Sequence, residues 1–269
     1  MTRPCVLVFA GSDPSGGAGI QADIGSVGAL GAHVLALITA LTVQDNDHVQ
    51  AVYPVPARWL QQQAQALVDK IDIAAVKIGV IGNLANAAII LDVIRALRLR
   101  NPDLPVVLDP VMSSGHGDAL ATDNAALMLA DLIPLATLLT PNLPEAAILC
   151  AGDRRAEQQV DTLLQRGCGH VLLKGGHGFD SQVVNRWYTD GASRSWSWPR
   201  LPGAFHGSGC TLAGAIAGAL ACGLAMEDAL DTAQTFCHRT LEHSFAIADG
   251  QRIPNRNVEW QLARNKEFS

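Results

Sequence analysis

Charge and aromatic residues are both scarce in this chain of 269 residues: Asp, Glu, Lys and Arg make up 16% of it and Phe, Trp and Tyr only 5%. With 49% of the residues apolar, that scarcity excludes a disordered or coiled-coil chain and leaves material for one extensive core. Basic charge is also lacking. The net charge of −6 is spread without a basic stripe, so the electrostatic footprint of a nucleic-acid binder is missing and small-molecule chemistry is favoured. The six cysteines, at 5, 150, 168, 210, 222 and 237, contain no Cys-x-x-Cys pair and no dense framework. They read as reduced thiols of a cytoplasmic protein, and no His/Cys/Asp spacing suggests zinc. Only about six apolar residues precede Gly11, too few for the apolar region of a signal peptide, so export is not expected. One stretch free of charge, residues 207–226, carries Gly214 and Gly218 at a small-x-x-x-small spacing. Its Gly and Ala content and polar Ser-Gly-Cys-Thr opening predict a helix buried on a sheet rather than a membrane span. No repeat, low-complexity tract or linker interrupts the chain, so residues 1–269 are expected to form one domain.

What the sequence does contain is an alternation of short β-branched runs with longer helical patterns, the mark of repeated βαβ units. Strands are predicted over residues 5–10, 33–39, 75–78, 106–109, 138–140 and 170–174. Helices are predicted over 21–30, 56–70, 83–99, 123–130, 144–150 and 154–166. Residues 182–190 and 193–198 alternate around Asp190-Gly191, a strong turn dipeptide, and predict a hairpin. Helices over 209–224 and 227–246 follow, and the polar tail from Asp249 is expected on the surface. The fold class is therefore α/β: a mostly parallel central sheet with helices on both faces and a short β-hairpin before the C-terminal helices.

Ligands of such sheets sit beyond the carboxyl ends of the strands, which directs attention to the residues just after each strand. Gly207-Ser208-Gly209-Cys210 opens a helix, where unpaired N–H groups and the helix dipole favour an anion. A phosphoryl group in transfer fits there, with Cys210 facing the acceptor hydroxyl; the same glycines would equally serve a tight turn. The loop from Gly11 to Gly19 follows the first strand but lacks Gly-x-Gly-x-x-Gly and carries a Pro, which argues against a dinucleotide fingerprint. It reads as a substrate-covering loop with Asp23 as a carboxylate acceptor. Asn142 and Glu145 share one turn after a strand, and with Asp109 they offer oxygen ligands suited to Mg²⁺. They also have the spacing of a capping box. Lys174 ends an apolar strand as a point charge for a polyphosphate, or as a surface lysine. His177 and His206 flank these loops and read as structural.

Taken together, Gly11-Ser-Asp-Pro-Ser-Gly-Gly-Ala-Gly-Ile-Gln-Ala-Asp23, Thr39-Ala-Leu-Thr-Val-Gln44, Lys77-Ile-Gly79, Asp109-Pro-Val-Met112, Thr140-Pro-Asn-Leu-Pro-Glu-Ala146, Lys174-Gly-Gly-His177 and His206-Gly-Ser-Gly-Cys-Thr211 resemble, in order, the hydroxymethylpyrimidine/phosphomethylpyrimidine kinase family. The resemblance implies a ribokinase-like fold and two ATP- and Mg²⁺-dependent phosphorylations in thiamine biosynthesis, of 4-amino-5-hydroxymethyl-2-methylpyrimidine and then of its monophosphate. It implies pyrimidine contacts at Gln44 and Asp23, with Gly11, Val80 and Val111 lining the pocket, and nucleotide contacts at Lys174, Asn142 and Thr211. A homodimer is a further family expectation. Cysteine at 210, where most ribokinase-like enzymes carry Asp, separates this family from the vitamin B6 kinases, the first alternative; a ligand-binding regulator without turnover is the second. A helix N-terminus is expected to lower the Cys210 thiol pKa and leave it partly ionised. Two segments depart from the family pattern: Leu201-Pro-Gly-Ala-Phe205, in place of a Thr-Lys-Asn-Thr type approach, and Asp45-Asn-Asp-His48, in place of a commoner Asn-Thr-x-Gly.

Overall fold

The computed structural model describes residues 2–118, 120–152, 155–176 and 180–258. Nine strands form one sheet: β1 (Cys5–Ser12), β2 (His33–Gln44), β3 (Val49–Pro54), β4 (Ile73–Ile78), β5 (Val106–Leu108), β6 (Leu138–Leu139), β7 (His170–Leu173), β8 (Gln182–Thr189) and β9 (Ala192–Pro199). Their order is β3-β2-β1-β4-β5-β6-β7-β8-β9. The strands from β2 to β7 are parallel, while β3 at one edge and β8 and β9 at the other are antiparallel. The helices are α1 (Gly19–Ala29), α2 (Ala57–Val68), α3 (Leu84–Arg100), α4 (Ala125–Ala130), α5 (Leu143–Leu149), α6 (Ala156–Gln165), α7 (Ser208–Ala221) and α8 (Met226–Glu242).

The central strands are apolar without interruption because both faces are covered. Along β1, Leu7 and Phe9 enter a core shared with α2 to α6. Val6, Val8 and Ala10 enter a second core shared with α1, α7 and α8. The small residues of α7 serve that second core: a Cβ on Gly214 would stand 3.0 Å from Asp23 Oδ1, and one on Gly218 would stand 3.1 Å from Val27 Cα. Their spacing therefore brings α7 against α1. No helix among the described residues is long and apolar enough to cross a membrane.

Three features differ from expectation. β2 continues to Gln44 and pairs with β3, an edge strand with no counterpart in the predicted elements. With a single neighbour and a mixed burial pattern, β3 lacks the clean alternation by which a strand is read. Helix α8 stops at Glu242, four residues short of the expected end. The tail is not a surface coil, because Gln251, Ile253, Asn255 and Val258 are buried. Its backbone bridges Phe245 and Phe205, and the Asn46 amide donates to the carbonyls of Asp249 and Gln251. Polar residues are buried here because two loops satisfy each other's backbone groups. The predicted hairpin is present, with Gly191 supplying the positive φ at its turn.

Neighbouring strands β1 and β4 are continued in opposite directions across the sheet, β1 through α1 to β2 and β4 through α3 to β5. A crevice beyond their carboxyl ends follows from that reversal.

Candidate active site

At the floor of this crevice lie charges from three strands and one helix. Lys174, just past β7, sits 2.7 Å from Asp109 Oδ1, past β5, and 4.0 Å from Glu145 Oε2 in α5. The Thr140 hydroxyl donates to the same Asp109 oxygen at 2.9 Å. Burial alone would raise the Asp109 carboxyl, but the ammonium groups of Lys174 and Lys77 hold it below the ordinary carboxylate range. Glu145 goes the other way: burial, with a smaller push from Asp109, outweighs Lys174 and raises it to about 7. Two carboxylates flanking one lysine thus divide into a firm anion and a proton carrier.

Against this cluster stands the N-terminus of α7. Gly207 has φ +77, and a Cβ there would run into the Gly17 carbonyl, so only glycine fits the turn. Thr211 N–H is bonded to Gly207 O at 2.9 Å; the N–H groups of Ser208, Gly209 and Cys210 belong to the first turn, which no helical carbonyl reaches. Gly209 keeps the approach open, since a Cβ on it would lie 3.4 Å from Lys174 Nζ and 3.7 Å from Asp109 Oδ2. Behind Cys210, Lys77 is wholly buried and paired with Asp23 at 2.9 Å. Burial pulls that ammonium down, but Asp23, ahead of Cys210 and Asp109, more than restores it.

The wall opposite is the β1–α1 loop. Asp13 caps its own turn, accepting from the N–H groups of Ser15 and Ala18. It also contacts His206 Nε2 at 2.8 Å, tying this loop to the segment that opens α7. Burial opposes ionisation, yet these partners bring the Asp13 carboxyl down to about 2. Gln44, at the end of β2, reaches the same His206 ring at 3.3 Å. Arg256 from the tail closes the wall, donating to Thr211 Oγ1 at 3.0 Å and to the carbonyls of Gly16 and Gly17.

Gly207 to Cys210, Lys174, Asp109 and Glu145 are thus brought to one place, with Gln44 on the rim and Gly11 and Val80 in contact range of each other, a Cβ on Gly11 lying 3.5 Å from Val80 Cβ. Val111 follows directly, its N–H turned back onto Asp109 O. Four expectations are modified. Asp23 is buried in its pair with Lys77 instead of lining an open pocket. Thr211 is also buried, its hydroxyl spent on Gly207 O and Arg256. Asn142 and Glu145 do form the capping box, each side chain meeting the other's N–H at 2.8 Å, while Glu145 still touches the charged floor. The Cys210 thiol is raised, not lowered: burial dominates, Lys77 and a Gly19 hydrogen bond oppose it, and Asp23 and Asp109 add to it. His177 lies outside the described residues. The sequence reading missed Arg256, which has no local signal, and the Asp13–His206 tie, whose only trace is the Asp-Pro-Ser-Gly turn.

The sequence model of one family, described as phosphomethylpyrimidine kinase, matches residues 13–255. The chain belongs to that family. It is accordingly a phosphotransferase with a ribokinase-like fold. The hydroxymethylpyrimidine/phosphomethylpyrimidine kinase of Rhizobium meliloti (strain 1021) is 37% identical over 91% of this chain and 93% of that protein. The phosphomethylpyrimidine kinase structure from Clostridium difficile 630 superposes with a TM-score of 0.75 at 31% identity, covering 89% of this chain and 100% of that one. Bacillus subtilis pyridoxal kinase, solved as an ADP complex, superposes with a TM-score of 0.85 at 26% identity, covering 97% of this chain and 100% of that one.

Proposed function

We propose that this protein transfers the terminal phosphoryl group of ATP to the hydroxymethyl oxygen of 4-amino-5-hydroxymethyl-2-methylpyrimidine, and then a second one to the resulting monophosphate, in the cytoplasmic synthesis of thiamine. The observation that carries this reading is the juxtaposition of the α7 N-terminus with Lys174 and Asp109 across a side-chain-free Gly209. Phosphoryl transfer passes through a loose transition state and asks chiefly for positioning and charge stabilisation. Lys174 supplies a fixed cation, and the N–H groups of Ser208 to Cys210 supply oriented donors in a desolvated site. With its pKa raised, the Cys210 thiol keeps its proton at neutral pH and serves to place the acceptor hydroxyl. Gln44 offers both a donor and an acceptor to the pyrimidine edge.

Protein contacts engage Asp109 Oδ1 and Glu145 Oε2, so Asp109 and Glu145 would hold a hard cation through the second oxygen of each. That set fits Mg²⁺, which takes one or two carboxylates and completes its shell with phosphate and water. When bound, Mg²⁺ supplies neutralisation of charge on the phosphates. Glu145, raised to about 7, would join Asp109 in holding the cation in its carboxylate form.

A homodimer is part of this reading. Leu41 and Val43 lie on one face of β2, with Tyr53 opposite Leu41 on β3, and all three are about half exposed. Sedimentation should give a dimer for the wild type and a monomer for Leu41→Glu/Val43→Lys.

A vitamin B6 substrate is the second reading, favoured by the higher TM-score to the pyridoxal kinase. One experiment separates the readings: ADP release from Mg·ATP with hydroxymethylpyrimidine, its monophosphate, pyridoxine or pyridoxal as acceptor. Turnover of both pyrimidines ahead of the pyridoxine group is expected. Preference for pyridoxal would install the second reading, and turnover of none would leave a ligand-binding regulator.

A further inference from the structure

Beside Gln44, and outside the machinery above, two loops bring a second set of ligating side chains together. His116 Nε2 is 2.9 Å from Asp47 Oδ1, and His48 Nε2 is 3.5 Å from Asp47 Oδ2. One ligand atom from each of Asp47, His48 and His116 lies within 4.8 Å of the others. We propose that these three residues bind a divalent transition-metal ion that accepts imidazole nitrogen, such as Zn²⁺, and that the ion staples the β2–β3 turn to the loop after β5 at the rim of the crevice.

The ligand chemistry selects the ion. Two imidazoles and one carboxylate suit Zn²⁺ and its neighbours, whereas Mg²⁺ prefers oxygen alone, so this site and the floor of the crevice discriminate between cations. Ligands about 2.0 to 2.2 Å from a tetrahedral ion lie about 3.4 Å apart. The longest separation here, up to 4.8 Å, must contract by about 1.4 Å, which the exposed imidazoles achieve by side-chain rotation. Three protein ligands leave the fourth position to water or to a ligand group.

The surroundings already hold the ligands as an outer shell would. The Nδ1 atom of His48 lies 3.8 Å from Asp118 Oδ2, beyond hydrogen-bond reach here, and a small rotation of the exposed ring would bring it to the carboxylate that orients a metal-bound imidazole. Asp118 is itself fixed by the Val49 N–H at 3.0 Å and the Ser114 hydroxyl at 2.9 Å. Asp45 Oδ1 accepts from the N–H groups of Asp47 and His48 at 2.8 Å, shaping the turn. Gly250 packs against the Asp47 side chain so closely that a Cβ would stand 2.8 Å from its Cγ. The His48 and His116 rings stack at 4.8 Å, so both Nε2 atoms converge on one carboxylate. A bound ion takes the place of the direct His116–Asp47 contact.

The test uses the full chain, freed of metal and kept in excess Mg²⁺, titrated with Zn²⁺ by calorimetry and with Co²⁺ by visible absorption. The wild type should bind one equivalent whose Co²⁺ spectrum has d–d bands without a thiolate charge-transfer band, which separates this site from the cysteines. His48→Ala/His116→Ala should lose that equivalent, and Asp118→Asn should weaken it by about 10- to 100-fold. His116→Gln provides the same loss of ligand with a hydrogen bond retained on Asp47. Equal Zn²⁺ binding by the wild type and the His48/His116 variants, or binding accompanied by a thiolate band, would overturn the proposal. Neither readout needs turnover, so the result is independent of the substrate.

Discussion

The floor and the rim of the crevice use the same residue types to different ends. On the floor, Asp109, Lys174 and Glu145 are nearly shut off from water, so their charges are strongly coupled and Glu145 is driven to about 7. On the rim, Asp47 and Asp118 are partly exposed and their partners His48 and His116 stand in solvent, where such pairs contribute little. Proximity of charges is therefore no measure of their strength; the dielectric around them decides. Substitutions on the floor should disturb both fold and turnover, and those on the rim should disturb only what binds there.

The largest effect is expected from Lys174→Ala. Two buried carboxylates lose their shared cation, a change of the kind that costs about 3 to 5 kcal/mol, and phosphoryl transfer should become undetectable. Asp109→Asn in the same background should recover part of the stability in denaturant melts but none of the activity. Equal stability of wild type and Lys174→Ala would erase the distinction between floor and rim.

Next comes the pH dependence carried by Glu145. Its folded pKa, about 7, lies above the ordinary 4.5, so the folded state holds a proton that the unfolded chain releases between those values. Stability should fall as pH rises from 4.5 to 7 and then level off, by at most about 3 kcal/mol. Glu145→Gln, which keeps the capping box, should remove that slope. Denaturant midpoints of the two proteins across this range are the measurement, and parallel curves would place the carboxyl in water.

Gln44→Ala acts on the rim side of the substrate. It should weaken pyrimidine binding by about 1 to 3 kcal/mol with ATP binding and melting temperature unchanged, as calorimetry with each ligand would report. A loss shared by both ligands would mean that the rim and floor are not separable.

Cys210→Ala is expected to slow transfer by only about tenfold. A thiol held in its protonated form by burial is a positioning group, and the backbone donors survive its removal; loss of a general base would cost about 10² to 10⁴. Single-turnover rates across pH distinguish the two. Smallest of all should be Asp47→Asn, which in the absence of added metal should leave stability within about 0.5 kcal/mol of the wild type.

The α/β class, the parallel core strands, the hairpin at Asp190-Gly191 and the strand-end positions of Asp109, Lys174, Gln44 and the Gly207 to Cys210 turn are legible in the order of the amino acids. These are properties of local pattern: apolar runs buried on two faces, turn dipeptides, and glycines that open a helix. The sequence also placed Asn142 and Glu145 at capping-box spacing but could not tell a cap from a ligand pair, and the structure makes Glu145 a member of both. Contacts between distant parts of the chain bury Asp23 against Lys77, return Arg256 from the tail to fasten Thr211 and the β1–α1 loop, and raise the Cys210 thiol. A helix N-terminus argued for a lowered thiol, but desolvation and the carboxylates of Asp23 and Asp109 come from distant parts of the chain. Ionisation depends on everything within a few ångströms in space, and no local pattern in the sequence encodes which distant charges will meet there.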